Sequence, residues 1–189
     1  MALGLGINHS VTDYALGWEP MDSEPIGTAT LFLKNNTNVS PGAWLDEIGN
    51  TGDFIQQTTS NQATLLEGGL NFDGVNDNYV REELLSLKGD LIIVIVFNPS
   101  ENLVGEGFFD SQENSNNSQI YINLDRLYYV ANGQLSSFTF SRAITADSTQ
   151  YIVISKENNG QMFAYHNQHG TATTNSAENG ATFNIRNIG

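Results

Sequence analysis

From Ala29 onward the chain is a succession of short alternating segments broken by turn residues, and no stretch offers an amphipathic helix of useful length. Ile120, Ile122 and Leu124 fall on one face, against Tyr121, Asn123 and Asp125. Leu127 and Tyr129 oppose Tyr128 and Val130, and Met162 and Ala164 oppose Phe163 and Tyr165. A period of two sends successive side chains to opposite faces of a strand. Asn132-Gly133 and Asn158-Asn159-Gly160 supply the positive φ that tight hairpins need. Asparagine, 23 of 189 residues, favours turns and penalises helix interiors. Strands recurring roughly every 8–15 residues with turn signals between them specify an all-β sandwich.

Several segments carry sharper expectations. Residues 30–33 and 54–57 read as strands, with a turn at residues 49–52 between them. Residues 68–80 place an Asp73-Gly74 turn between two apolar runs, and read as a hairpin with Leu70 and Phe72 on one face. In residues 81–88, Leu84, Leu85 and Leu87 lack strand alternation, so one helical turn is expected there. Residues 90–97 contain Ile92-Ile93-Val94-Ile95-Val96, apolar at both parities, as in a strand buried on both faces.

Residues 1–28 differ. Gly4, Gly6, Gly17, Gly27, Pro20 and Pro25 interrupt every periodic pattern, so an irregular N-terminal arm is expected ahead of a domain spanning 29–189. Its apolar residues Leu3, Leu5, Ile7 and Trp18 are candidates for anchoring the domain to a partner or a sister subunit, since an unpartnered tail gains nothing by exposing them.

Composition excludes several functions. The 189 residues suit one domain with a sizeable core. With 7 Lys and Arg against 21 Asp and Glu, the formal charge is −14 and the basic residues are scattered singly. Neither nucleic acid nor an anionic membrane surface is an expected partner. Zero cysteines exclude disulfides and thiolate chemistry. The N-terminus lacks the basic region of a signal peptide, and the apolar run at 91–97 is too short to span a bilayer as a helix.

Jelly-roll glycosidases need two carboxylates flanking the scissile bond, hence acidic residues at i and i+2 on a strand. The one such pair, Asp22 and Glu24, lies in the arm beside two prolines, so no enzyme is expected. His166 and His169 read as surface residues. Asp73, Asn76 and Asp77 offer hard oxygen ligands in one tight turn, the chemistry calcium prefers; no other cofactor is expected. Among the tyrosines, Tyr128 and Tyr165 are the candidate glycan platforms.

Two blocks resemble the laminin-G-like branch of the concanavalin A-like jelly rolls found in bacterial and phage proteins. One is Ala29–Lys34 followed by Trp44-Leu45-Asp46-Glu47-Ile48-Gly49-Asn50; the other is Gln56-Gln57 followed by the 69–80 segment with its Phe-Asp-Gly turn. Residues 151–155, 162–166 and 185–189 look like the late strands of that family. The resemblance implies a concanavalin A-like jelly-roll β-sandwich, and calcium as a familiar ligand of such domains. Members usually continue with a strand that returns beside the N-terminal one; here a longer parent chain, a partner or the N-terminal arm would supply it. The opening Met1–Gly6 is similar to structural proteins of marine tailed phages. Together these imply a non-enzymatic virion structural protein, decorating the capsid or forming part of the tail or fibre. It would assemble in the host cytoplasm with other virion proteins and sister subunits as a homo-oligomer. The alternative is a carbohydrate-binding adhesion module that contacts host-surface glycan.

Overall fold

The computed structural model describes residues 2–8, 30–33, 37–49, 52–66, 69–100, 103–111, 118–157, 161–167, 169–173 and 181–189. Among these the chain is all-β, as its alternation demands. The strands are β1 (Ala2–Asn8), β2 (Phe32–Leu33), β3 (Val39–Ser40), β4 (Ala43–Trp44), β5 (Phe54–Ile55), β6 (Thr64–Leu66), β7 (Gly69–Asn71), β8 (Tyr79–Leu87) and β9 (Leu91–Asn98). They continue with β10 (Val104–Asp110), β11 (Gln119–Asn123), β12 (Arg126–Ala131), β13 (Gln134–Thr139), β14 (Gln150–Lys156), β15 (Met162–His166), β16 (His169–Thr173) and β17 (Phe183–Ile188). A first sheet runs β16-β15-β14-β9-β1-β7-β6, with β2 also on β1; a second runs β13-β12-β11-β10-β17-β8-β5-β4-β3. All pairings are antiparallel, and the inward residues of both sheets form one hydrophobic core.

That core follows the two-residue period. Leu91, Ile93, Ile95 and Phe97 of β9 point in beside Ile152 and Ile154 of β14 and Met162 and Ala164 of β15. Facing them, β10, β11, β12 and β17 contribute Phe108, Ile120, Ile122, Leu127, Tyr129, Phe183 and Ile185. Phe97 and Phe108 meet edge to face across the core, with ring centroids 5.1 Å apart. The hairpin read at Asn132-Gly133 is present, with φ of 51° and 76°, both in the left-handed region a two-residue turn uses.

Four expectations are corrected. Residues 2–8, expected as part of an irregular arm, form β1 inside the first sheet. It pairs with β9 from Ala2↔Asn98 to Asn8↔Ile92, and on its other side with β2 and β7. The glycines at 4 and 6 weaken strand propensity, but neighbours on both sides satisfy the backbone and override it. The remainder of the arm, residues 9–28, lies outside the described residues. Residues 81–87 extend β8 rather than forming a helical turn. Their broken alternation coincides with a register shift opposite Ile185 and Asn187 of β17, so a bulge, not a helix, explains it. Strand β9 is buried on one face only, its residues alternating between buried and partly exposed. Finally, β7 and β8 do not pair: the Asp-Gly turn at 73–74 arches from one sheet to the other.

Because β1 is an interior strand, proline within it removes a ladder hydrogen bond and leaves a carbonyl without its donor. Leu5→Pro is expected to destabilise the fold by at least about 2 kcal/mol in urea melts. A melt unchanged from wild type would show that β1 contributes nothing to the sheet.

Candidate functional site

The arch between β7 and β8 is built from its own acidic and amide side chains. Gly74 takes φ +75°, and nothing lies within 4 Å of where a Cβ would be, so only conformational strain opposes a side chain there. Asp73 Oδ1 accepts the Val75 N–H at 2.8 Å and the Asn76 N–H at 3.3 Å, while the Asp73 N–H donates to Asp77 Oδ2 at 2.8 Å. Asn78 is pinned from below: Gln56 Nε2 donates to its carbonyl at 2.9 Å and to its Oδ1 at 2.7 Å. Phe72 and Tyr79, the last residue before the arch and the first after it, meet edge to face at 5.9 Å in the core. The Tyr79 hydroxyl donates to the Pro41 carbonyl at 2.8 Å, and burial raises its pKa to about 12.

A cleft of about 290 Å³ opens between this arch, Pro99 and Ser100, Gly107 and Asp110 of β10, and Asn187 of β17. Its polar wall includes Asp73, Asn76, Asp77, Asp110 and Asn187; its floor includes Phe72 and Leu103. Asn187 Nδ2 donates to Asp110 Oδ1 at 2.8 Å. The expected calcium ligands Asp73, Asn76 and Asp77 are thus brought together, but one oxygen of each carboxylate is turned onto the loop's own amides. At most one further oxygen remains on each, and Asn76 Nδ2 points to Asn61 Oδ1 at 3.3 Å. Calcium takes six to eight oxygens. Among the described residues no three His, Asp or Glu side chains converge to hold a metal.

The two expected glycan platforms lie on different sheets. Tyr128 of β12 stacks on Tyr121 of β11, with centroids 4.7 Å apart and planes 6° apart, on the outer face of the second sheet. Its chain neighbour Tyr129 is fully buried and stacked on Phe183. Tyr165, 37% exposed, stands on β15 on the outer face of the first sheet. His166, expected at the surface, is 1% exposed and bonds to Gln150 Oε1 at 2.7 Å through Nε2. The same Gln150 also binds Asn167, Thr145 and Ser148, so this is a buried polar knot between strands. The anchor candidates Leu3, Leu5 and Ile7 lie in β1, paired within the chain rather than in a separate arm; Trp18 lies outside the described residues.

Two features escaped the sequence reading. Arg81 is 5% exposed with its guanidinium 5.5 Å above the Phe54 ring, and its Nε and Nη1 have no hydrogen-bond partner. Burial lowers its pKa, opposed by the fields of Asp46, Glu83 and Asp53. Asp46 is itself held by the Phe32 and Ile48 amides, so a buried cation balances a buried anion beneath the Trp-Leu-Asp segment. The second is an uncharged apolar face. Ile92, Val94 and Val96 of β9, Tyr151 and Val153 of β14, and Phe163 of β15 all point outward and are partly exposed. The apolar residues at both parities of 91–97 were its signal in the sequence.

In comparisons with known proteins, no family model and no curated protein matches the chain.

The amide of Val75, foremost, holds the Asp73 carboxyl below its ordinary value of 3.8. A depressed folded-state pKa means that Asp73 contributes stability above its unfolded pKa and that this is lost as pH falls through the folded value. Asp73→Asn is therefore expected to lower the melting temperature near neutral pH, with the gap closing in acid below the ordinary Asp range. An equal gap at every pH would separate the carboxylate charge from the arch's stability.

Proposed function

We propose that this chain is a non-enzymatic structural protein that works by being built into an assembly, namely a virion, as a capsid decoration or a tail or fibre component. The observation that supports this reading is the outer face of the first sheet. A chain of net charge −14 keeps Ile92, Val94, Val96, Tyr151, Val153 and Phe163 together with no charged side chain among them. Contiguous apolar surface of this kind marks a contact with another protein. Four carboxylates, Asp46, Asp53, Asp73 and Asp77, act elsewhere and differently, accepting from backbone amides and fixing loops. The concanavalin A-like jelly roll and the phage-particle setting remain part of this proposal, carried by the Trp-Leu-Asp and Phe-Asp-Gly resemblances.

A second reading, a carbohydrate-binding adhesion module, is favoured by the Tyr121–Tyr128 pair. Parallel rings on a sheet face, beside Gln119, Asn123 and Arg126, offer a pyranose a stacking surface with polar neighbours.

The two readings separate by substitution. Val94→Asp is expected to fold, since the side chain already faces outward, and to reduce incorporation into co-expressed particles at least tenfold by gradient sedimentation and mass spectrometry. Tyr128→Ala is expected to incorporate normally. Normal incorporation of Val94→Asp, with glycan-column retention abolished by Tyr128→Ala, would replace the structural reading with the adhesive one.

A further inference from the structure

We propose that the cleft beside the β7–β8 arch binds a guanidinium cation, carried by a small molecule or by an arginine side chain of a partner. This is independent of the assembly reading, which rests on the outer face of the first sheet.

The cleft is built to accept. Asp73, Asp77 and Asp110 line it, and among the described lining residues none is Lys, Arg or His. Three carboxylates in one cleft, on a chain of net charge −14, favour a cation and disfavour any anion. The Val75 amide, foremost, holds the Asp73 carboxyl below its ordinary value, so its charge persists at neutral pH. The loop's amides take Asp73 Oδ1 and Asp77 Oδ2, which leaves the other oxygen of each to a ligand.

Carboxylates at a surface are by themselves only a solvated patch. What sets this cleft apart is Asn187 of β17, which lines it and is 5% exposed. Its Nδ2 donates to Asp110 Oδ1 at 2.8 Å. Because an ionised carboxylate only accepts, that bond fixes which end of the amide is which. The Asn187 Oδ1 is then a buried acceptor, and it has no hydrogen-bond partner. Buried amide oxygens are nearly always paired, and one left alone calls for a donor from outside. An N–H of the ligand meets that need.

The arrangement of acceptors selects the cation. Among the described residues no three His, Asp or Glu side chains converge on one point. Acceptors set apart around a cleft match a planar group with five donors in a fixed fork, no acceptor and a permanent charge. A guanidinium is also weakly hydrated, so its faces and its stem can lie on the apolar floor of Phe72 and Leu103. The volume, about 290 Å³, suits a group the size of one side chain. An ammonium is a compact, strongly hydrated point charge and exploits neither feature. A neutral polyol brings donors but leaves the three carboxylates without a counter-charge.

The test is an amide proton–nitrogen NMR titration of the full chain at constant ionic strength, with butylguanidinium, butylammonium and calcium chloride as probes. Butylguanidinium is expected to shift the amides of Gly74 to Asn78, that of Gly107 and the side-chain amide of Asn187. It is expected to bind about tenfold more tightly than butylammonium, the contribution of one charge-assisted hydrogen bond. Asp77→Asn and Asp110→Asn keep shape and an accepting oxygen but remove the charge, and each is expected to weaken binding about tenfold. Asp125→Asn, on the exposed β11–β12 turn, removes the same charge elsewhere and is expected to leave binding unchanged. An absence of cleft shifts at about 50 mM butylguanidinium, well above a millimolar Kd, would overturn the proposal. Equal binding of the two organic cations, or equal weakening by Asp125→Asn, would also overturn it, since both mark general attraction to an acidic chain. Shifts of these amides by calcium alone would put a metal ion in place of the guanidinium. The comparison of the two organic cations needs no variant, so it stands even where a substituted chain fails to fold. A capped Gly-Arg-Gly peptide separates the two sources: binding tighter than butylguanidinium assigns the cleft to a partner's arginine, and binding no tighter assigns it to a free guanidino compound.

Discussion

Strand β9 sets the terms for the rest of the molecule. Its inward residues Leu91, Ile93, Ile95 and Phe97 seat the second sheet, and its edges are closed by β1 on one side and β14 on the other. Backbone pairing on both sides leaves no sheet edge at the centre of the first sheet. What it does not do is cover Ile92, Val94 and Val96. Full burial of an aliphatic side chain contributes about 1.5–3 kcal/mol, and Ile92, Val94 and Val96, which face outward and stay partly exposed, realise only part of it.

The acidic excess is distributed in a way that leaves that surface clean. Asp46, Asp53, Asp73 and Asp77 close loops by accepting backbone amides, at the ends of the sandwich rather than on its faces. The interior charges are few and balanced: Arg81 lies among the fields of Asp46, Asp53 and Glu83, and Lys156, 2% exposed, donates to the Gly89 carbonyl at 3.3 Å. Charge thus serves loop geometry and solubility, while the first sheet's outer face is left to apolar packing.

How much of this was legible beforehand depended on whether the signal was local. The alternation in 119–140 and 150–166 fixed both the strands and their inward faces, because each side chain's direction follows from its parity alone. The burial of Leu70 and Phe72 was readable for the same reason. The partner of a strand was not readable. Residues 70–72 and 79–80 flank a good turn, yet they join different sheets, since turn chemistry sets the local bend and not the identity of the neighbour. β1 was missed because glycine argues against a strand locally while two pairing partners, distant in sequence, argue for it. The site was less legible than the fold. Asp73, Asn76 and Asp77 do cluster, but the direction of their oxygens, onto their own amides, is a three-dimensional fact. Tyr128 and Tyr165 look alike in sequence and lie on opposite sides of the molecule.

Since the chain contains no cysteine, one introduced thiol reports on one position without background. Ser155 lies on the uncharged face, in register with Ile92 on one side and Phe163 on the other. The most direct measurement is the rate at which a small maleimide labels Ser155→Cys in the free chain and in assembled particles. Covering of this face in the assembly predicts labelling that is much slower in the particles than in the free chain, with a cysteine placed at Val75, at the exposed arch, as the reference position. Labelling of Ser155→Cys at the same rate in both states would contradict it.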